Sequence, residues 1–324
     1  MSTPGFECLR FEPAQLLPEC WRPAAGAGPV RMFNPALLRD GAGWRLAYRA
    51  VLADGRRRLA ACRLDAALRV VAGSPYALSD YVQFPPAKPY PEVVRTWLAD
   101  PRLYRFGDRT FVYWNSGWHE PQNHQFLQEL TPATFAPMGA PRELVLRGPR
   151  RPLEKNWTFF ATAEGSLRAI YSVAPHRVLA FSLAGEGDIL CEEVAQHEFP
   201  LTSYPASHGG LRGGAPPVWH DGAFWSFCHS VHDGPNGYCY RAGVYGFSAG
   251  PTFAPWAEPV QPLALGAGAG RLHPRLNPAV DEVVYPCGAA IEGDRWLVSH
   301  GLNDEQCAIS IIPHAAVLTH VRRR

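Results

Sequence analysis

Five stretches of this chain repeat one pattern, and that repeat restricts the fold more than any other feature. Each is a run of alternating apolar or aromatic residues after a turn: Gly43–Arg49, Arg109–Trp114, Ser166–Ser172, Ala223–His229 and Arg295–His300. Alternation with period two and aromatic enrichment read as strands. A short motif precedes each run: Asn34-Pro35-Ala36-Leu37, Asp100-Pro101-Arg102-Leu103, Asn156-Trp157-Thr158-Phe159, Gly214-Ala215-Pro216-Pro217-Val218 and Tyr285-Pro286-Cys287-Gly288-Ala289. The offsets from motif to strand are 10, 11, 11, 10 and 10 residues, too regular for chance.

A third strand follows each time, at Arg58–Asp65, Gln125–Leu130, Arg177–Leu183, Arg241–Ser248 and Cys307–Pro313. Fourth strands are expected near Val70–Pro75, Arg142–Arg147, Asp188–Val194 and Val260–Leu265. The fifth unit lacks one, so Ala315–Arg322 or Phe6–Glu12 must supply it. A unit of four strands cannot bury both faces alone, so units stack radially. The expectation is an all-β chain, a five-bladed β-propeller of four-stranded antiparallel blades. It forms one domain over 1–324, with blade cores near 34–75, 100–147, 156–194, 214–265 and 286–322. The alternative, two β-sandwich domains, needs a linker near the midpoint, where no low-complexity stretch occurs.

Composition agrees. The 32 Pro and 30 Gly among 324 residues exclude long helical bundles, which cannot carry breakers at that density. A net charge of +2 with 12% aromatic residues excludes disorder and gives no support to nucleic-acid binding. The first residues show no signal peptide, and no apolar run is long enough for a membrane helix. The eight scattered cysteines contain no C-x-x-C pair and read as small buried hydrophobes of a cytoplasmic protein. No histidine spacing suggests a structural metal, and no nucleophile elbow or phosphate loop is present.

In a propeller the first strand of each blade lines the central channel. The motifs therefore bring Asn34, Asp100, Lys155, Asn156 and the Gly213-Gly214 segment to one mouth, with Arg49, His229 and the loop after His300 able to reach it. Asp100, before a proline, is a common turn former. Pointing inward, it could be held protonated by desolvation and act as a general acid. Lys155 is one of only two lysines against 29 arginines, and a compact cation there suits an anionic ligand. His229 ends its strand, and His176 and His232 are weaker candidates of the same kind. Trp97, Trp118, Trp157 and Trp219 could stack on sugar rings, although core packing is the plainer reading.

At these residues the chain resembles the five-bladed propeller enzymes of glycoside hydrolase family 130, the β-mannoside phosphorylases and β-mannosidases. The resemblance rests on Phe33-Asn34-Pro35-Ala36, Tyr48-Arg49, Asp100-Pro101-Arg102, Glu154-Lys155-Asn156-Trp157, the Tyr171–His176 stretch, Gly213–Val218, His229, Tyr240–Gly243, Val284–Gly288 and Asn303-Asp304. Two departures, His229-Ser230 and Gly301–Glu305 after Ser299-His300, mark a divergent branch. The resemblance implies that Asp100 is the general acid. It also implies that Asn34, Arg49, Lys155, Asn156, His176, His229, Tyr285 and Asp304 bind sugar or phosphate. An inverting hydrolase needs a second carboxylate as base, with Asp304, Glu305, Asp233 and Glu154 as candidates. An inverting phosphorylase needs only the acid and cations that hold phosphate. One inward carboxylate against Arg49, Lys155 and His229 favours phosphorolysis or a sugar-phosphate-using transferase. Hydrolysis and a non-catalytic glycan-binding propeller stay open. The expected partners are an oligosaccharide or glycoside and phosphate or sugar phosphate, with self-association into a homo-oligomer open. No cofactor, metal, nucleic acid or membrane is expected.

Overall fold

Period-two alternation sends successive side chains to opposite faces, both of which are buried in strands such as Arg109–Asn115 and Arg295–Leu302, and the short turns between strands return the chain beside itself. The computed structural model describes residues 6–23, 28–117, 122–150, 154–266, 271 and 274–324. With 52% strand and 8% helix the chain is all-β. Among the described residues, no helix is long and apolar enough to cross a membrane.

After an N-terminal strand β1 (Glu7–Phe11), the chain forms five antiparallel meanders. The first is β2 (Arg31–Asp40), β3 (Gly43–Val51) and β4 (Arg57–Leu64). The second is β5 (Ala99–Phe106), β6 (Arg109–Asn115), β7 (Gln125–Leu130) and β8 (Pro137–Leu146). The third is β9 (Thr158–Ala161), β10 (Leu167–Ser172), β11 (His176–Phe181) and β12 (Ile189–His197). In the fourth, β13 (Gly210–Arg212) and β14 (Val218–His220) both pair with β15 (Ala223–Gly234), followed by β16 (Gly237–Phe247) and β17 (Pro255–Pro259). The fifth is β18 (Val280–Glu292), β19 (Arg295–Leu302) and β20 (Gln306–Pro313), and a short final strand β21 (Val321–Arg323) ends the chain.

The missing strand of the fifth meander comes from the N-terminus. β1 pairs antiparallel with β20, from Glu7 opposite Ile311 to Phe11 opposite Cys307. The competing segment forms the short helix His314–Leu318 and then β21, which pairs with β17 of the fourth meander. Two expected fourth strands are reduced. Near Val70–Pro75 only isolated bridges remain, Leu64 to Val70 and Ala61 to Tyr76. Pro75 has no N–H to donate, and Gly73 turns the chain at φ 68°. The strand expected at Val260–Leu265 lies earlier, in β17, and Leu263 keeps a single bridge to Ala242. Pro262 interrupts pairing there for the same reason. Parallel contacts of β8 with β12 and of β16 with β18 join neighbouring meanders into 8- and 10-stranded sheets.

The apolar residues sort into clusters that each straddle two successive meanders. Ala36 and Ala47 pack with Leu103 and Trp114, Tyr104 and Tyr113 with Phe159, and Phe160 and Ile170 with Phe224 and Tyr245. Phe227 and Val244 pack with Trp296, and Leu297 and Ile309 of the fifth meander pack with Leu46 and Tyr48 of the first. All eight cysteines are free thiols; Cys20 is exposed, contrary to the expectation of burial, and Cys8 is half-buried.

Candidate active site

The site begins with a backbone irregularity that the motifs write three times. Asn34, Asp100 and Asn156 all take positive φ, at 53°, 54° and 66°. Asn and Asp tolerate this left-handed region better than other residues that carry a Cβ. Proline follows Asn34 and Asp100 and cannot donate to the ladder, and the register shifts there, between Phe33 and Ala36 and between Ala99 and Arg102. The backbone thus leaves the ladder at each motif, and all three side chains line one cavity of about 390 Å³. Just before the fourth motif, an added Cβ at Gly213 would collide with the Asn156 carbonyl oxygen.

Arg102 holds this centre together. It is fully buried. Its Nε donates to the Gly214 carbonyl at 2.5 Å, and its Nη1 donates to the carbonyls of Asp100 and Pro101 at 3.0 and 2.9 Å. Its Nη2 donates to the Tyr285 hydroxyl at 3.0 Å, and that hydroxyl donates to Asn156 Oδ1 at 2.6 Å. One guanidinium therefore ties motifs from four meanders.

Among the described residues, two carboxylates and four cations line the cavity: Asp100 and Asp304 against Arg49, Arg57, Lys155 and Arg212. Asp100 Oδ1 accepts from Asn34 Nδ2 at 2.7 Å and from Arg49 Nη1 at 3.2 Å. Burial works to protonate Asp100, as the sequence suggested. The charges of Arg49, Lys155 and Arg102 and the Asn34 bond outweigh it and hold the carboxyl below its usual range. Asp304 is pushed the other way, to about 6, by burial and by the Asp100 charge, against the pull of Arg49 and Lys155. Asp304 follows Asn303 in a turn where both residues are left-handed, at φ 57° and 56°. The turn is pinned to β18 by a bond from Val283 N to Asn303 Oδ1 at 3.1 Å.

His229, expected as a cation, is not one in this environment. Burial first, then the charges of Arg212, Lys155 and Arg102, push it well below its usual pKa. The neutral ring stacks on Tyr240 at 5.6 Å and meets Tyr285 edge-on at 4.6 Å. Lys155 is also lowered, by burial and the nearby arginines, against the Asp100 charge.

Of the nine residues singled out from the sequence, eight line this cavity: Asn34, Arg49, Asp100, Lys155, Asn156, His229, Tyr285 and Asp304. His176 does not. It is buried between the third and fourth meanders, against Tyr245 at 5.7 Å and Phe247 at 5.1 Å, and burial lowers it to about 3. Of the four carboxylates considered as base, only Asp304 lines the cavity among the described residues. Sequence reasoning missed Arg57, and also Arg212, whose signal was its place just before Gly213-Gly214. Trp97 lines the cavity, Trp157 is core and Trp219 is exposed on β14. Trp118 lies outside the described residues.

Among the described residues, one metal-type cluster lies elsewhere, His220, Asp221 and His314, with ligand atoms within 4.8 Å of one another. Trp296 Nε1 donates to His314 Nδ1 at 2.9 Å. That leaves the neutral ring's proton on Nε2, facing Asp221, which opposes use of Nε2 as a ligand.

The opposite shifts of the two carboxylates predict a pH effect on stability. In the folded state Asp304 binds its proton up to about pH 6, whereas its ordinary pKa is 3.8. Between those values the folded state holds more protons than the unfolded one, so stability falls as pH rises through that window. Asp304→Asn removes this penalty. The variant should melt higher than the parent at about pH 8 and lose the advantage below about pH 4; thermal unfolding across that range measures it.

No protein-family model matches the sequence, and no curated protein does. Solved structures do match its shape. A β-1,2-mannobiose phosphorylase from Listeria innocua, in complex with β-1,2-mannobiose, superposes with TM-score 0.63 at 14% identity, covering 97% of this chain and 98% of that one. The chain shares its fold. A mannose phosphorylase from Leishmania mexicana in complex with phosphate gives TM-score 0.56 at 10% identity over 91% of this chain and 87% of that one. A structure from work on glycoside hydrolases within the GH130 family of mannoside phosphorylases, which target β-1,2-mannosidic linkages in Candida mannan, gives 0.60 at 11% over 88% and 84%. The resemblance read from the motifs thus has a counterpart in three dimensions.

Proposed function

We propose that the chain is a single-domain five-bladed propeller enzyme that cleaves or forms a glycosidic bond, a β-mannoside, with phosphate or a sugar phosphate as the second substrate. The apolar clusters between successive meanders, the last packing against the first, support the blade reading. One observation carries the function. Asp100 shares a cavity with Lys155 and Arg212, neither of which is ion-paired among the described residues. A phosphate dianion placed there offsets the cations that now hold Asp100 ionised, and its carboxyl then rises toward a general acid.

In that state Asp100 gives its proton to the glycosidic oxygen as the bond from that oxygen to the anomeric carbon breaks. A phosphate oxygen forms the new bond to the anomeric carbon from the opposite face, giving an inverted sugar 1-phosphate and a free acceptor hydroxyl. Arg49, Lys155 and Asn156 hold phosphate, and neutral His229 offers a hydrogen bond rather than charge. The Listeria and Leishmania structures, with a mannobiose and a phosphate bound, favour the same substrates.

A second reading, inverting hydrolysis, is favoured by Asp304. It is the other cavity carboxylate and, at about 6, is ionised at neutral pH and fit to activate water. Incubation with a β-1,2-manno-disaccharide separates the two. Sugar 1-phosphate released only when phosphate is supplied supports phosphorolysis; free mannose released without phosphate supports hydrolysis. Under phosphorolysis, Lys155→Met should raise the phosphate KM by roughly tenfold to a hundredfold, the loss of one charge-assisted hydrogen bond. Steady-state kinetics at varied phosphate checks this.

A further inference from the structure

We propose that Arg57, held by Trp97, forms a second anion subsite in the cavity, which takes the acidic group of a sugar, a carboxylate or a phosphate ester. The proposal rests on reading the cavity as a sugar site and adds the class of sugar. It starts from where the charges come from. Arg49 and Arg57 belong to the first meander, Asp100 to the second, Lys155 to the segment before the third, Arg212 to the fourth and Asp304 to the turn after β19 in the fifth. In the order in which the meanders pack, a carboxylate separates the first-meander cations from Lys155 and Arg212 on either side. A single phosphate held by Arg49 and Lys155 leaves Arg57 out of contact with it, and of the first-meander pair only Arg49 has a carboxylate within ion-pair distance, Asp100 at 3.2 Å.

Arg57 has no carboxylate partner among the described residues. Its guanidinium lies over the Trp97 ring, 4.4 Å from the centroid. Stacking occupies a face of the guanidinium and leaves its donors in the plane. Nη1 donates to the Gly55 carbonyl, Nε is buried without an acceptor, and Nη2 has no protein acceptor among the described residues. The backbone fixes the pair. Arg57 and Trp97 form a parallel bridge, and Leu98 N donates to Arg57 O at 3.1 Å. Gly117 makes room, since a Cβ there would overlap the indole. Burial and the Arg49 charge, against the pull of Asp304 across the cavity, lower Arg57 only to about 10, so it stays a cation at neutral pH. A positioned, stacked guanidinium with an empty edge suits a planar or tetrahedral oxyanion.

Calorimetric titration of the full chain tests this, with mannose, mannuronate and mannose 6-phosphate as probes and the parent, Arg57→Gln, Arg57→Lys and Lys155→Gln as proteins. The parent should bind one acidic sugar at least about tenfold more tightly than mannose. Arg57→Gln should abolish that preference, Arg57→Lys should restore part of it, and mannose affinity should change less than about twofold. The better acidic probe identifies carboxylate or phosphate ester as the group read. Equal binding of all three probes to the parent overturns the proposal, whatever the variants do. So does a preference lost in Lys155→Gln but kept in Arg57→Gln, which places the acidic group at the phosphate site. Binding needs no turnover, so the two readings fail separately. Acid preference without cleavage removes the enzyme, and cleavage of neutral mannobiose without acid preference removes the subsite.

Discussion

Asp100→Asn should lower kcat by about 10²–10⁴-fold, the usual weight of one general acid, while the chain still folds. An amide keeps the shape and the Asn34 contact but carries no proton to give the glycosidic oxygen. The ground state should respond in a specific way. Asp100 is held below its usual pKa by its cations, so its charge favours the folded state above the ordinary carboxylate range and that contribution fades as pH falls below it. The variant should therefore melt somewhat lower than the parent at neutral pH and equal to it in acid. Unchanged turnover sinks the assignment of Asp100. Glycan binding that survives with no product in either protein supports a silent binding propeller.

Arg102→Met should be the most destabilising change at the centre of the molecule, costing about 3–5 kcal/mol and lowering the melting temperature by roughly 4–7 °C. The reason is the number of acceptors it leaves. The carbonyls of Gly214, Asp100 and Pro101 and the Tyr285 hydroxyl all lose their donor in a place water cannot easily reach. Arg102→Lys should rescue little of this, because one ammonium cannot span a forked set of partners. Differential scanning calorimetry of both variants measures it. A melting temperature within about 2 °C of the parent would show that the centre closes without the guanidinium.

The motif positions were legible because each is a local requirement. Asn-Pro and Asp-Pro mark points where a left-handed residue and a missing N–H break the ladder, and those breaks recur at the spacing of the repeat. That was enough to bring Asn34, Asp100 and Asn156 to one place. The weaker fourth strands were misplaced where Pro75 and Pro262 cut pairing that alternation alone suggested. His176 misled because a histidine in a matching motif says nothing about which side of its strand faces the cavity. Arg57 went unread because an arginine in an arginine-rich chain carries no local signal, and Arg212 because only its place before Gly213-Gly214 set it apart.

The sequence alone determined the repeat, the second and third strands of each unit and the residues that line the cavity at the motifs, since alternation, turns and proline act over a few neighbours. Only the tertiary structure decided that the N-terminal strand and not the C-terminal segment completes the fifth meander. Both segments were apolar enough, and which edge each meets is a long-range matter. It also decided the charge states. Burial of Asp100, Asp304 and His229 together with Arg49, Lys155 and Arg212 sets which carboxyl is ionised and which ring is neutral. Those fields exist only when residues far apart in the chain share one cavity.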